Sequence, residues 1–165
     1  MSSRHINSRH IVAGLDRLVG VVISCGRFLA LPVVVLLFLQ WPLRDFIRAY
    51  SREANDLGQW LFALYVAMAV TAATRARTHL ATDVVARGYS ASTQNILSRI
   101  GVLIGVLPWA LFVVLAGCNI VVSSVLGLEA FPDTTNPGYF LIKIALWLLA
   151  GLMLAQGVID LFKPR

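Results

Sequence analysis

Four long apolar stretches constrain this chain more than any other feature of its sequence. They cover residues 18–41, 57–76, 96–126 and 139–162. A helix needs about 20 apolar residues to cross the hydrocarbon core of a bilayer, which is about 30 Å thick. Each stretch meets that length, and little chain remains for a separate soluble domain. The sequence therefore predicts one membrane domain over residues 1–165, with an all-α fold of four transmembrane helices.

The composition favours a membrane protein over the other classes that its charge suggests. Hydrophobic residues make up 58% of the chain and charged residues 13%, whereas soluble domains average about 45–50% and about 25%. A net charge of +6 is compatible with nucleic-acid binding, but the basic residues flank apolar runs instead of forming one patch. We therefore expect no nucleic-acid partner. The first apolar stretch exceeds the core of a cleaved signal peptide, about 7–15 residues, so we expect it to remain as a span.

Basic residues predict how the four spans are oriented. They precede the first span, separate the second from the third and follow the fourth: Arg4, Arg9, Arg17, Arg75, Arg77, Arg87, Arg99, Lys163 and Arg165. Segment 127–139 has two acidic residues and no basic one, and the three arginines of segment 43–56 are balanced by three acidic residues. Because Lys and Arg collect in cytoplasmic loops, both termini are predicted to face the cytoplasm.

The segment between the first two spans has the pattern of an amphipathic helix. Its apolar residues recur at helical spacing on one stripe: Leu43, Phe46, Ile47, Tyr50, Ala54 and Leu57. A second row on the polar side consists of Arg44, Arg48 and Arg52. Such a segment, flanked by spans, is typical of a helix lying in the membrane interface. We predict an interfacial helix over residues 43–56, centred on Phe46 and Ile47; a polar hairpin loop is the alternative.

Groups that carry catalysis, redox chemistry or ion coupling are scarce in the spans. The acidic residues lie outside the four apolar stretches, except Asp160 at the end of the last one. Ion-coupled transporters usually bury ionisable groups in the bundle, and haem anchors need ligands there, yet the three histidines also lie outside. Cys25 and Cys118 fall within apolar runs, where small packing residues are expected more than a disulfide or metal pair. We predict no catalytic, metal or cofactor site.

Two cations lie within the spans. Arg27 is about nine residues into the first span, close to the bilayer centre at a rise of 1.5 Å per residue. A central arginine costs about 2.5–3.5 kcal/mol on insertion scales. Three interpretations stay open for Arg27: snorkelling, an internal partner such as Gln156 or Asn119, or contact with another subunit or a lipid phosphate. Lys143 lies nearer the outer surface, where snorkelling is expected.

The loop after the second span carries the most distinctive motif, "RARTHLATDVV", with Arg75, Arg77, His79 and Asp83. Together with four spans, cytoplasmic termini and an interfacial helix, it resembles the small membrane subunit, the DctQ type, of tripartite ATP-independent periplasmic (TRAP) transporters. The fourth span also resembles that family, including the positions of Lys143 and Gln156. The resemblance covers nearly the whole chain.

The resemblance implies a function within a complex. Subunits of this type bind a large permease that moves its substrate by a sodium-driven elevator motion. A periplasmic binding protein captures the solute, typically an organic acid, and delivers it. The small subunit is implied to be a scaffold in the bacterial inner membrane, without enzymatic activity and without a cofactor. Candidate contacts with partner subunits or lipids are Arg27, Phe46, Ile47, Arg75, Arg77, His79 and Asp83.

Within the motif loop, His79 and Asp83 at i and i+4 suit a metal or proton site, but a structural hydrogen-bonding role is preferred for His79. Arg75 and Arg77 are expected to meet lipid phosphates or the cytoplasmic loops of the partner. Ser90 or Ser92 is expected to cap the third span.

Three other functions stay open: a stand-alone small transporter or channel, the membrane anchor of a redox complex, and the small subunit of a tripartite tricarboxylate transporter. Uptake by the chain alone, a haem spectrum, or the neighbouring genes would distinguish them.

Overall fold

Nearly all of the described chain is helical. A computed structural model of the protein describes residues 2–46, 51–76 and 88–162. Its helices are α1 (Ser2–Asp45), α2 (Arg52–Ala76), α3 (Ala91–Gly101), α4 (Leu107–Leu126) and α5 (Tyr139–Phe162). A π-helical turn, Val102–Val106, joins α3 to α4, so that the two form one continuous span.

Four helical stretches of the described residues are long and apolar enough to cross a membrane. They are His10–Pro42, Arg52–Ala76, Ser92–Leu126 and Tyr139–Phe162. The predicted all-α fold with four spanning helices is therefore confirmed. The first two helices begin earlier than the apolar stretches do, because helical hydrogen bonding continues through the polar residues that precede them.

A separate interfacial helix over residues 43–56 is not shown. Residues 43–45 continue α1, residues 52–56 form the first turns of α2, and residues 47–50, which include Ile47, lie outside the described part. The backbone N–H of Phe46 still donates to the carbonyl of Pro42 at 2.9 Å. Thus both ends of the predicted segment belong to the spanning helices.

Helix α5 is the central helix of the bundle. It packs against α1, α2, α4 and the π turn. The main buried cluster joins α5 to the first two helices and consists of Val19, Ile23, Met68, Leu152 and Ile159. The outward faces are apolar, as hydrocarbon requires; Phe28, Phe38 and Phe112 are among the most exposed side chains. Because lipid is itself apolar, close packing is the main force that holds such helices together.

Two glycines allow the helices to touch. A Cβ on Gly26 of α1 would lie 2.7 Å from the Met68 Cβ of α2. A Cβ on Gly157 of α5 would lie 2.9 Å from the Leu107 Cδ2 of α4. Small residues at these crossings bring the backbones close, as is common between membrane helices.

The third span changes its hydrogen bonding just before Pro108. Proline has no N–H to donate to the carbonyl four residues earlier. The N–H of Leu107 bonds instead to the carbonyl of Val102, five residues back. The π turn therefore accommodates the proline within a continuous helix.

The loop over residues 127–138 is folded, not extended. Phe131 is 5% exposed, and its ring lies edge-on to Tyr139 with a centroid distance of 5.6 Å. The Phe131 N–H donates to the Asn136 carbonyl at 2.9 Å. Gly138 has φ +144°, and a Cβ there would lie 3.3 Å from the Phe131 ring. Only glycine combines this backbone conformation with so close a contact.

Polar contacts fasten this loop to three helices. Glu129 accepts hydrogen bonds from Lys143 of α5 and Ser124 of α4, and these two bonds hold the pKa of the Glu129 carboxyl below its ordinary value of 4.5. The Thr134 hydroxyl donates to Asp56 of α2, which is buried. Lys143, which was expected to snorkel, forms an ion pair with Glu129 of the loop that precedes α5.

We predict that Gly26→Leu lowers the unfolding temperature in detergent, because the Met68 Cβ cannot move away without separating α1 from α2. Overpacking of this kind costs about 1–3 kcal/mol. The matched control is Gly151→Leu, since nothing lies within 4 Å of a Cβ at that position. Equal unfolding temperatures for the two variants would show that α1 and α2 do not cross closely.

We predict that Glu129→Gln destabilises the protein near neutral pH but not in acid. Since the folded-state pKa of Glu129 lies below 4.5, its ion pair stabilises the fold above that pH. The effect is lost as the pH falls through the folded-state pKa. Unfolding temperatures of the wild type and the variant should therefore converge below pH 4.5.

The control for that experiment is Asp133→Asn, an exposed acidic residue of the same loop. It should leave stability unchanged at neutral pH. Lys143→Met should destabilise the protein, and adding it to Glu129→Gln should cost little more. Additive effects of the two changes would contradict the ion pair.

Candidate functional site

A groove between α1 and α2 is lined in part by Arg27, which is itself exposed. Its volume is about 280 Å³, and its lining consists of Ile23, Gly26, Arg27 and Ala30 from α1 with Tyr65, Met68, Ala69 and Ala72 from α2. Gly26 and Met68 lie close together in this lining, and three of its other members are alanines. Apart from Arg27 and the hydroxyl of Tyr65, the lining is apolar.

Neither of the internal partners proposed for Arg27 reaches it. Gln156 is fully buried, and its side-chain amide donates to Asp160 at 3.0 Å. Asn119 is exposed on α4 and makes no hydrogen bond to the Arg27 side chain. Neither Arg27 nor the Tyr65 hydroxyl forms a hydrogen bond or ion pair with another described residue. Both donors therefore face the groove without an acceptor from the described chain.

Arg27 lies near mid-depth in the bundle. Asp16 meets Arg75 at one end of the helix pair, and Gln40 lies beside Gly58 at the other. At 1.5 Å per residue, Arg27 is about 16 Å along α1 from Asp16 and about 20 Å from Gln40. For a hydrocarbon core of about 30 Å, this position is close to the centre.

Arg75, the first arginine of the loop motif, pairs with an acidic residue of the same chain. Arg75 Nη2 lies 2.6 Å from Asp16 Oδ1, and Arg75 Nη1 donates to the Asp16 carbonyl at 3.2 Å. The pair is partly buried and ties the end of α2 to α1 about four turns after α1 begins. Asp16 was predicted to lie outside the first span, but the helical stretch His10–Pro42 contains it. Sequence reasoning missed this pair because its members lie far apart along the chain.

The described chain does not bring the other candidate residues together at one site. Ile47, Arg77, His79 and Asp83 lie outside the described residues. Phe46 is 78% exposed, with its ring edge-on to Trp41 at a centroid distance of 6.3 Å. The expected contacts of these five residues with lipid or partner therefore stay predictions.

Two further sequence expectations have clear outcomes. Ser90 is the N-cap of α3, and its hydroxyl accepts a hydrogen bond from the Thr93 N–H at 3.3 Å, which confirms the cap at Ser90 and not at Ser92. Cys25 and Cys118 are both free and exposed. The packing role expected of these two cysteines is therefore not shown within the described chain.

The family comparison covers most of the chain. Residues 33–164 match the family described as "Tripartite ATP-independent periplasmic transporters, DctQ component". The match includes α2, both parts of the third span and α5, but begins after Arg27. No curated protein and no solved structure matches the chain. On the strength of this match, the chain belongs to the DctQ family, the small permease components of TRAP transporters.

Proposed function

We propose that this subunit is a fixed scaffold for the large permease in sodium-coupled uptake of an organic acid. Family membership implies a TRAP complex with a large permease and a substrate-binding protein. The scaffold role is supported mainly by the positions of the acidic residues. The acidic residues that the structure describes are found near the ends of the spans or in the loops, so none of them is placed to carry a coupled ion through the centre.

The polar contacts of the described chain support a structural role. Asp16 with Arg75 joins α1 to α2, and Glu129 with Lys143 joins the folded loop to α5. The first pair holds two helices together, and the second holds the loop to the helix that follows it. A transport cycle needs groups that bind and release a ligand, which is a role for the larger partner.

The contacts at the two ends of the bundle support one orientation in the inner membrane. Asp16 and Arg75 bring the beginning of the first apolar stretch beside the end of α2. Thr134 and Asp56 bring the loop over residues 127–138 beside the beginning of α2. Since basic residues collect at the first end, we assign that end and both termini to the cytoplasm. The folded acidic loop then faces the periplasm, where the binding protein delivers its solute.

The remaining candidates are proposed as contacts with the surroundings of the complex. Phe46 and Ile47 would contact lipid at the periplasmic surface. Arg77 and Asp83 would contact the cytoplasmic side of the permease or lipid headgroups, while His79 holds the loop by hydrogen bonding. The broad apolar surface of the described helices offers room for the permease as well as for lipid.

The proposal is tested by reconstitution in proteoliposomes. With its permease and loaded binding protein, the subunit should support accumulation of an organic acid driven by an inward sodium gradient. The chain alone should support none, because it offers no coupling group at mid-membrane. Vesicles without this subunit and vesicles without the gradient are the controls. Sodium-driven uptake by this chain alone would contradict the scaffold role.

A further inference from the structure

We propose that the groove around Arg27 receives an acidic side chain from a transmembrane helix of the large permease. The inference rests on the proposed function, because it takes the permease as the neighbour. It adds the location of the contact and the chemistry of the partner.

The positive charge of Arg27 is not compensated by another described residue. Two cations near the ends of the described spans, Arg75 and Lys143, have carboxylate partners within the chain. Arg27 has none among the described residues, although its position near the bilayer centre is where a partner matters most. The compensating group must therefore come from another molecule.

The depth of Arg27 in the bilayer bears on which kind of molecule supplies its partner. Lipid phosphates lie beyond the hydrocarbon core, about 15 Å from its centre. Arginine side chains reach the interface when they start near the end of a helix, whereas Arg27 starts close to the middle. An acceptor carried at mid-membrane by a protein helix matches this depth better than a lipid headgroup does.

The hydrogen-bond donors in the groove indicate which chemical group would bind there. The Arg27 guanidinium and the Tyr65 hydroxyl both offer donors, and neither has an acceptor among the described residues. A carboxylate can accept from both and neutralise the charge, whereas a backbone carbonyl would leave the charge uncompensated. Aspartate or glutamate is therefore the expected partner side chain.

The size of the groove limits what can enter it. A volume of about 280 Å³ accommodates a side chain but not a helix about 10 Å in diameter. The partner helix would lie across the groove and project one side chain into it. The small residues Gly26, Ala30 and Ala69 permit that approach. The family match begins at residue 33, so it assigns no role to the α1 side of the groove.

Photo-cross-linking tests the location. Benzoylphenylalanine replaces Tyr65 in the subunit, which is expressed with the large permease and irradiated in membranes. The expected product is an adduct with a permease peptide that contains Asp or Glu within one turn of the linked residue. An adduct with lipid alone, or with a permease helix that has no nearby acid, would overturn the proposal.

The matched control carries the same cross-linker at Phe28. This side chain is 82% exposed, and it points about 200° around α1 from Gly26. It should give much less of the acid-containing adduct than the probe at Tyr65. Equal yields from the two positions would also overturn the proposal.

Copurification tests the charge. Arg27→Ala should lower the amount of permease recovered with the tagged subunit by at least about tenfold, the effect expected when one partner of a buried charge pair is removed. Arg27→Lys should retain more of the permease than Arg27→Ala does. Arg17→Ala is the control on the same helix and should change nothing, because Arg17 is exposed near the cytoplasmic end.

The amount of each variant in the membrane is measured alongside, so that poor insertion is not mistaken for weak binding. Full recovery of permease with Arg27→Ala would overturn the proposed contact and leave the scaffold function standing. Failure of the wild-type subunit to copurify with the permease would instead contradict the proposed function.

Discussion

A charge inside hydrocarbon needs a partner, and this requirement explains how the described helices are held at their ends. Asp16 with Arg75 closes one end of the bundle, and Glu129 with Lys143 closes the other. The first pair links two helices that are far apart at these positions in the sequence, and the second links α5 to the loop that precedes it. Arg27 lies close to the centre of the bilayer without a partner among the described residues, which is the reason for seeking one in a neighbouring subunit.

Close packing between the helices contributes to their association in addition to the ion pairs. Helix α5 contacts the other spans along one face, and glycines at the crossings let backbones approach where larger side chains would separate them. In lipid such contacts replace the hydrophobic effect as the source of helix association. The resulting bundle buries little of its surface and leaves broad apolar faces outward. This arrangement suits a subunit that completes a larger complex in the membrane.

The sequence predicts the four spans well because hydropathy over about 20 residues is a strong signal. The Ser90 cap is also predictable, since its hydrogen bond to Thr93 is local. Helix ends are less predictable because helical hydrogen bonding does not stop at the membrane surface, as the extent of α1 shows. The ion pairs were missed because they depend on how the chain folds back. Opposite charges at the same predicted membrane face, such as Glu129 and Lys143, were the available signal.

The central claim is that this subunit stays rigid while the permease moves. The two exposed cysteines, Cys25 on α1 and Cys118 on α4, allow spin labels without further substitutions in this chain. The distance between them is measured by pulsed electron paramagnetic resonance in the assembled transporter, with the cysteines of the permease removed. The measurement is repeated without sodium, with sodium, and with the loaded binding protein. The account predicts the same distance in every state, whereas a change of more than about 5 Å, one helical turn, would contradict it.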